Sequence, residues 1–110
     1  MEKATSIQQV FDAMPSRFNA NAASGVDAIF QFDLTGDNAA KYWVKIANQE
    51  MELHEGEASS PTITVISSAD DYLKMVNGEL SAMSAFMAGK IKVKGNMGLA
   101  MKLQSIFGLG

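Results

Sequence analysis

The sequence predicts an α+β protein in which helices cover one face of a five-stranded, mostly antiparallel sheet. Three patterns predict this class. Apolar residues first recur at helical spacing, then alternate with polar residues through four segments after residue 26, and helical spacing returns on either side of a fifth alternating segment at residues 90–94. The 110 residues show no linker or internal repeat, so residues 1–110 are expected to form one domain.

The N-terminal helix is predicted by a regular apolar stripe. Thr5 and Gln8 form a capping-box pair that predicts where the helix begins. Pro15 is expected to kink the helix or to begin a new turn, and residues 19–25 are expected to form a loop or a frayed helix end. The apolar residues of the stripe are Ile7, Val10, Phe11, Met14 and Phe18.

Four strands are expected next, because the apolar period changes from helical to two. Short turns, such as residues 35–38, separate these segments, and consecutive strands joined by short turns are most simply an antiparallel meander. The apolar residues that share one face in each successive strand are Phe30, Phe32 and Leu34; Tyr42, Val44 and Ile46; Met51 and Leu53; and Ile63 and Val65.

Two helices are expected after the fourth strand. Ser68 and Asp71, three residues apart, predict the start of the first of them, and Gly78 predicts its end. The second is shorter and ends at Gly89. Their apolar stripes are Ala69, Tyr72, Leu73 and Val76 in the first, and Leu80, Met83 and Met87, flanked by Ala82 and Phe86, in the second.

The C-terminal block is the most informative part of the chain. A strand at residues 90–94, with Ile91 and Val93 on its inner face, leads into a closing helix over residues 97–107 that has almost no polar side. A helix that is apolar nearly all round is buried or faces another apolar object, which here is core, a partner or a bound lipid. Five of the eight methionines lie in the later helices, and this flexible side chain suits either a core or a surface that accepts varied apolar partners.

Charge is unevenly distributed along the chain. Residues 1–87 carry 12 acids and 5 bases, whereas residues 88–110 carry no acid and four lysines. These lysines are Lys90, Lys92, Lys94 and Lys102. They either meet a phosphate, a carboxylate or an anionic membrane, or form a solvated strand face that pairs with acids across the sheet. The net charge of −3 argues against a nucleic-acid partner.

Residues that could carry chemistry are few. His54 is the single histidine, and although it shares a strand face with Glu52, the chain offers no second His and no Cys to complete a zinc site. Asp70 and Asp71 are adjacent on a helix and point in different directions, so they do not form a carboxylate pair. Nucleophile elbows, phosphate loops and dinucleotide fingerprints are absent from the sequence. We therefore expect no catalysis, no cofactor and no metal.

No segment predicts export or membrane insertion. The N-terminal residues are polar, no apolar run is long enough to cross a bilayer, and the last three residues do not form a peroxisomal address. The expected compartment is the cytoplasm.

Residues 84–86 and 89–104, which read SAF and GKIKVKGNMGLAMKLQ, closely resemble the sterol carrier protein type 2 family of lipid-binding domains. The resemblance covers roughly residues 25–107. Weaker support comes from Trp43, from residues 62–64, and from Asp70, Tyr72 and Leu73. The resemblance implies an apolar tunnel between the sheet and the helices, and binding of fatty acids, fatty acyl-CoAs or sterols.

The resemblance also implies that the chain binds and transfers lipid without catalysis. The residues then expected to line the tunnel are Phe30, Phe32, Met75, Met83, Phe86, Met87, Met101 and Leu103. Those expected to meet a lipid head group or a membrane are Lys90, Lys92, Lys94 and Lys102. The closing helix is the expected lid or transient membrane contact. The alternative is an accessory protein-interaction domain with a filled core that acts beside a lipid-metabolising enzyme.

Overall fold

The structure, a computed structural model, describes residues 6–36 and 39–107. Within these ranges the chain forms four helices and five strands, and the α+β class is confirmed. The elements in chain order are α1 (Ile7–Arg17), β1 (Ala28–Thr35), β2 (Ala40–Ala47), β3 (Glu50–Glu55), β4 (Ile63–Ser68), α2 (Ala69–Val76), α3 (Ala82–Met87), β5 (Ile91–Gly95) and α4 (Met97–Phe107). Two residues of the turn predicted at 35–38, residues 37 and 38, lie outside the described ranges.

The five strands form one mixed sheet in the order β3-β2-β1-β4-β5. Three neighbouring pairs are antiparallel, as expected, but β1 and β4 are parallel, with Phe30 opposite Ile63 and Phe32 opposite Val65. The predicted four-stranded meander is therefore wrong at its last step. After β3 the chain does not turn back beside that strand but crosses the sheet, and it enters β4 on the far side of β1.

A buried glutamine holds this crossover against the sheet. Gln31 lies on the face of β1 opposite the core, where its Nε2 donates a hydrogen bond to the Gly56 carbonyl oxygen (3.1 Å) and its Oε1 accepts one from the Ala58 amide (2.7 Å). At the end of the crossover, the Ile29 amide donates to the Thr62 hydroxyl (3.0 Å), and the Thr62 amide donates to the Ile29 carbonyl (2.8 Å). These bonds fix the register at which β4 begins beside β1.

Helices cover the other face of the sheet. The ring of Phe11 on α1 stacks on Tyr42 of β2 at 3.9 Å between centroids and lies parallel to Tyr72 of α2 at 6.1 Å. Helix α2 contacts β1 and β4, α3 contacts β5, and α4 contacts α1, β4 and β5. The largest fully buried side chains are Tyr72, Phe11, Phe30, Phe32, Phe107, Met14, Ile46, Ile63, Ile106 and Val44.

The helix ends follow local side-chain chemistry. The N-cap of α1 is Ser6, whose hydroxyl accepts a hydrogen bond from the Gln9 amide (3.3 Å), so the predicted cap at Thr5, which lies outside the described residues, is wrong by one position. Helix α1 continues through Pro15 to Arg17. The second cap is confirmed, because the Ser68 hydroxyl accepts from the Asp71 amide at 3.1 Å.

Candidate functional site

Helix α3 exposes most of its apolar side chains. Met83, Phe86 and Met87 are 51%, 41% and 79% exposed, whereas Ala85 is completely buried. The predicted stripe that includes Met83 and Met87 is therefore not the face that packs against the protein. The helix has only six residues and contacts β5. Its small Ala85 makes the buried contact, which leaves the larger side chains outside.

Helix α4 is buried along one side only. Leu103, Ile106 and Phe107 lie in the core, whereas Met97 and Met101 are 38% and 47% exposed. The polar start of the helix is set by Asn96, whose side-chain oxygen accepts hydrogen bonds from the amides of Gly98 (2.8 Å) and Leu99 (3.3 Å). Its C-terminal end is held by the Asn19 amide, which donates to the Ile106 carbonyl at 2.7 Å.

Together these two helices present what we call the α3–α4 apolar surface. It consists of the five large apolar side chains that are exposed in the described structure: Met83, Phe86, Met87, Met97 and Met101. Both helices contact β5, which is an edge strand of the sheet. Isolated exposed apolar residues are common on proteins, and these five are distinguished by lying on two helices that both contact the same strand.

The eight side chains expected to line a tunnel fall into two groups. Phe30, Phe32, Met75 and Leu103 are buried between the sheet and the helices. Met83, Phe86, Met87 and Met101 are exposed and belong to the α3–α4 apolar surface. The structure therefore does not bring all eight into one enclosed site. One group forms part of the core, and the other lies outside it on the helices that follow and precede β5.

The four C-terminal lysines are all exposed. Lys92 and Lys94 lie on the sheet face opposite the helices, next to Ile66 and Thr64 of β4, so no acid faces them across the strand pair. Among the described residues none of the four lysines forms an ion pair. Lysines also protect an exposed edge strand from pairing with another chain, and Lys92 and Lys94 are suited to that structural role.

Tyr72 places a polar atom inside the core. Its side chain is 2% exposed, its ring meets that of Phe32 at 5.8 Å, and within the described structure its hydroxyl has no hydrogen-bond partner. Burial raises the pKa of Tyr72, and the positive charge of Arg17 opposes that rise only in part. Tyr42 differs, since its hydroxyl donates to Gln8 Oε1 at 3.2 Å. The sequence signal was a tyrosine within an otherwise apolar stripe.

The residues considered for catalysis are not brought together. His54 is exposed and stacks on Trp43 at 4.3 Å, on the sheet face opposite the helices. No group of three or more His, Cys, Asp or Glu side chains in the described ranges could hold a metal ion. A hollow of about 280 Å³ lies at the β2–β3 turn, lined by Lys45, Glu50 and neighbouring residues, at the opposite sheet edge from β5. No helix in the described part of the chain is long and apolar enough to cross a membrane.

Comparison with known proteins defines the class to which this fold belongs. The chain matches the SCP-2 sterol transfer family over residues 7–108. Because the match covers nearly the whole sequence, the chain belongs to this family, and the resemblance of the C-terminal block is confirmed. Domains of this kind are generally non-catalytic.

The curated relatives are longer proteins. The chain is 34% identical over 108 residues to hydroxysteroid dehydrogenase-like protein 2 of Xenopus laevis, which covers 97% of this chain and 26% of that protein. It is 31% identical over 101 residues to the Homo sapiens protein of the same name, covering 91% of this chain and 24% of the relative. The chain thus spans about a quarter of the length of these relatives.

Solved structures share the fold. The apo form of sterol carrier protein 2 from Yarrowia lipolytica superimposes with a TM-score of 0.77 at 24% identity, covering 96% of this chain and 93% of that one. Palmitated SCP2L2 from Aedes aegypti superimposes with a TM-score of 0.72 at 24% identity, covering 94% and 95%. At these identities the comparison shows the arrangement of sheet and helices alone.

Proposed function

We propose that this chain is a non-catalytic lipid carrier that takes up fatty acids, fatty acyl-CoAs or sterol-like lipids between its sheet and its helices. The observation that carries the proposal is the α3–α4 apolar surface, which lies beside the core of a fold belonging to the SCP-2 sterol transfer family. The palmitated relative from Aedes aegypti supports an acyl chain as one ligand. The proposal treats residues 1–110 as one lipid-binding domain that works in the cytoplasm.

In the proposed complex the two groups of apolar residues enclose the lipid together. Phe30, Phe32, Met75 and Leu103 form its inner wall, and Met83, Phe86, Met87 and Met101 close over it. Closing over the lipid requires α3 to move, and α3 is suited to this because Ala85 is its fully buried side chain. Glycines also lie on both sides of the helix, at Gly78 and Gly89, each with φ of +77°. Unbranched methionine side chains can repack around chains of different shape at low cost.

The energy of burial is sufficient for reversible binding. Each buried methylene is worth roughly 0.8 kcal/mol, so a 16-carbon chain gains on the order of 13 kcal/mol before costs. Association and ordering remove about 4–15 kcal/mol of this gain. Micromolar affinity with weak discrimination by chain length is therefore expected, and such affinity allows a carrier to release its cargo.

The lysines extend the proposal to an anionic bilayer. An apolar surface with cations around it and no acid in residues 80–110 complements a membrane of anionic lipids. Lys90 lies shortly after the end of α3, and Lys102 adjoins Met101. Lys92 and Lys94 lie on the outer face of the sheet, where they would contact the phosphates of lipid head groups rather than the acyl chains. We propose that the α3–α4 apolar surface touches the membrane transiently while lipid enters or leaves. The same lysines would bind the phosphates of an acyl-CoA.

Native mass spectrometry of the purified chain tests the carrier function. The expected result is a co-purifying lipid, or a mass shift of one ligand per chain after addition of oleate or palmitoyl-CoA. Organic extraction then identifies the lipid. A mass that stays that of the protein alone after both additions would contradict the proposal.

The relatives favour a second candidate function. Because this chain corresponds to about a quarter of hydroxysteroid dehydrogenase-like protein 2, it is also proposed as an accessory domain that keeps a filled core and contacts an enzyme. In that case the α3–α4 apolar surface would bind protein rather than lipid. Absence of any lipid adduct, together with retention of fold and stability, is the result expected from this alternative.

A further inference from the structure

The hydroxyl of Tyr72 is a polar atom in an apolar place. The side chain is 2% exposed, and no hydrogen bond to this oxygen exists within residues 6–36 and 39–107. A buried donor without a partner destabilises a protein, and most buried polar side-chain atoms in folded proteins are paired. A phenylalanine would fill nearly the same volume without this cost, so the hydroxyl requires a different explanation.

The position of Tyr72 connects it to the proposed lipid. Its ring forms a triangle with the rings of Phe11 of α1 and Phe32 of β1, whose centroids are 6.1 Å and 5.8 Å away from it and 5.7 Å from each other. Phe32 belongs to the proposed inner wall, and Met75, one helical turn after Tyr72 on α2, belongs to the same wall and is buried. The ring that carries the unpaired oxygen therefore lies in the layer where the lipid would be enclosed.

We propose that the Tyr72 hydroxyl donates a hydrogen bond to a neutral oxygen of the bound lipid. Acceptors of this kind are the hydroxyl of a sterol or fatty alcohol and the carbonyl of an ester or protonated fatty acid. This inference rests on the proposed carrier function and deepens it, because it assigns an internal polar contact to a site otherwise described as apolar.

A neutral acceptor fits the surroundings better than a carboxylate. The aromatic rings around Tyr72 exclude water, and an ion loses its hydration in such a place. Burial also raises the pKa of Tyr72, as expected where the charged form loses its hydration, and the positive charge of Arg17 opposes that rise only in part. Lipids with an uncharged oxygen are therefore expected to profit most from the contact.

Two ligands that differ by one hydroxyl test the inference. Hexadecan-1-ol and n-hexadecane, delivered from cyclodextrin, are allowed to displace a fluorescent fatty acid from the wild-type chain, from Tyr72→Phe and from Tyr42→Phe. Tyr42→Phe is the matched control, because its hydroxyl already has a partner in Gln8. The ratio of the affinity for the alcohol to the affinity for the alkane cancels any effect of a substitution on binding of the hydrocarbon chain, which both ligands share.

The expected result is specific to one variant. In Tyr72→Phe the affinity ratio of alcohol to alkane falls by about fivefold, which corresponds to one ordinary hydrogen bond. In Tyr42→Phe the ratio is unchanged. The melting temperature of lipid-free Tyr72→Phe stays the same or rises, because no internal hydrogen bond is lost.

Other results would overturn the inference in distinguishable ways. If Tyr72→Phe binds both ligands with the wild-type ratio, the hydroxyl does not contact the lipid, and the carrier function stands. If lipid-free Tyr72→Phe melts several degrees lower, the hydroxyl is already satisfied inside the folded chain. If the wild-type chain binds neither ligand nor the fluorescent fatty acid, the carrier function itself fails.

Discussion

The side-chain oxygen of Gln31 accepts a hydrogen bond from the backbone amide of Ala58 at 2.7 Å, across 27 positions of the chain. This bond fastens the segment between β3 and β4 to the outer face of the sheet. The parallel pairing of β1 with β4 depends on that segment, because it carries the chain over the sheet to the far side of β1. One buried polar side chain thus supports the step that separates this topology from a simple meander.

Replacing Gln31 should therefore destabilise the fold. Gln31→Leu removes the partners of the Ala58 amide and the Gly56 carbonyl, and we expect a loss of about 2–4 kcal/mol in the free energy of unfolding. Urea denaturation measures it. Gln49→Leu is the control, because the bond from its Nε2 to the Ala20 carbonyl oxygen (3.0 Å) lies on the exposed surface, and it should cost less than about 1 kcal/mol. Equal losses in both variants would contradict this role.

A glycine at the end of β5 should resist substitution. A Cβ added at Gly95, where φ is +111°, would lie 2.5 Å from the Thr62 carbonyl oxygen. We expect Gly95→Ala to cost about 2–4 kcal/mol, from backbone strain and from displacement of β4. At Gly36, where φ is +96°, a Cβ would meet nothing within 4 Å, so Gly36→Ala should cost only about 1 kcal/mol of strain. Thermal unfolding of the two variants provides the comparison, and similar melting temperatures would refute the steric argument.

The membrane proposal predicts that different lysines contribute unequally to binding of anionic vesicles. Lys94 of β5 and Lys45 of β2 are both exposed on the outer face of the sheet, but only Lys94 belongs to β5, the edge strand that α3 and α4 contact. Lys94→Gln should weaken binding to phosphatidylcholine–phosphatidylglycerol vesicles by about fivefold, since a basic residue near an anionic surface is worth about 1 kcal/mol. Lys45→Gln should leave binding unchanged. Co-sedimentation with vesicles measures the difference, and equal effects of the two substitutions would exclude the proposed orientation.

The α3–α4 apolar surface should contribute to lipid affinity but little to folding. The double substitution Met83→Gln and Phe86→Gln changes exposed side chains, so the free energy of unfolding should shift by no more than about 0.5 kcal/mol per site. Affinity for oleate should fall at least about tenfold, because two apolar side chains no longer cover the ligand. Met51→Gln, at the far edge of the sheet, is the matched control. Unchanged oleate affinity in a folded double variant would show that α3 does not cover the lipid.

Much of the fold follows from local patterns that do not depend on long-range packing. The helix start at Ser68 and Asp71 was predicted because one side chain satisfies an amide three residues away, and the structure confirms it. The bounds of α4 were also predicted, since its apolar run begins after Asn96 and continues to Phe107. The alternation of apolar and polar residues in β1 likewise predicts, from local pattern alone, that Phe30 and Phe32 face the core, and the structure buries both.

Two of the errors concern relationships that alternation and helical spacing do not encode. The direction of β4 relative to β1 is decided by the path of a seven-residue crossover and by the burial of Gln31, which looks like an ordinary outward-facing residue in a strand. The inward face of α3 is predicted wrongly because the size of an apolar side chain does not decide which face of a short helix is buried. In this helix of six residues the small Ala85 is the side chain that is buried against the protein, and the larger Met83 and Met87 remain exposed.

The methionine methyl groups provide the most direct test of the central claim that lipid lies between the sheet and the helices under α3 and α4. Their NMR signals, labelled with ¹³C and assigned by substitution, can be followed while oleate is added to one equivalent. We predict saturable shifts for Met75, Met83, Met87 and Met101, and no shift for Met51 on β3. Shifts that fail to saturate, or that spare the α3 methionines while Met51 moves, would contradict the account.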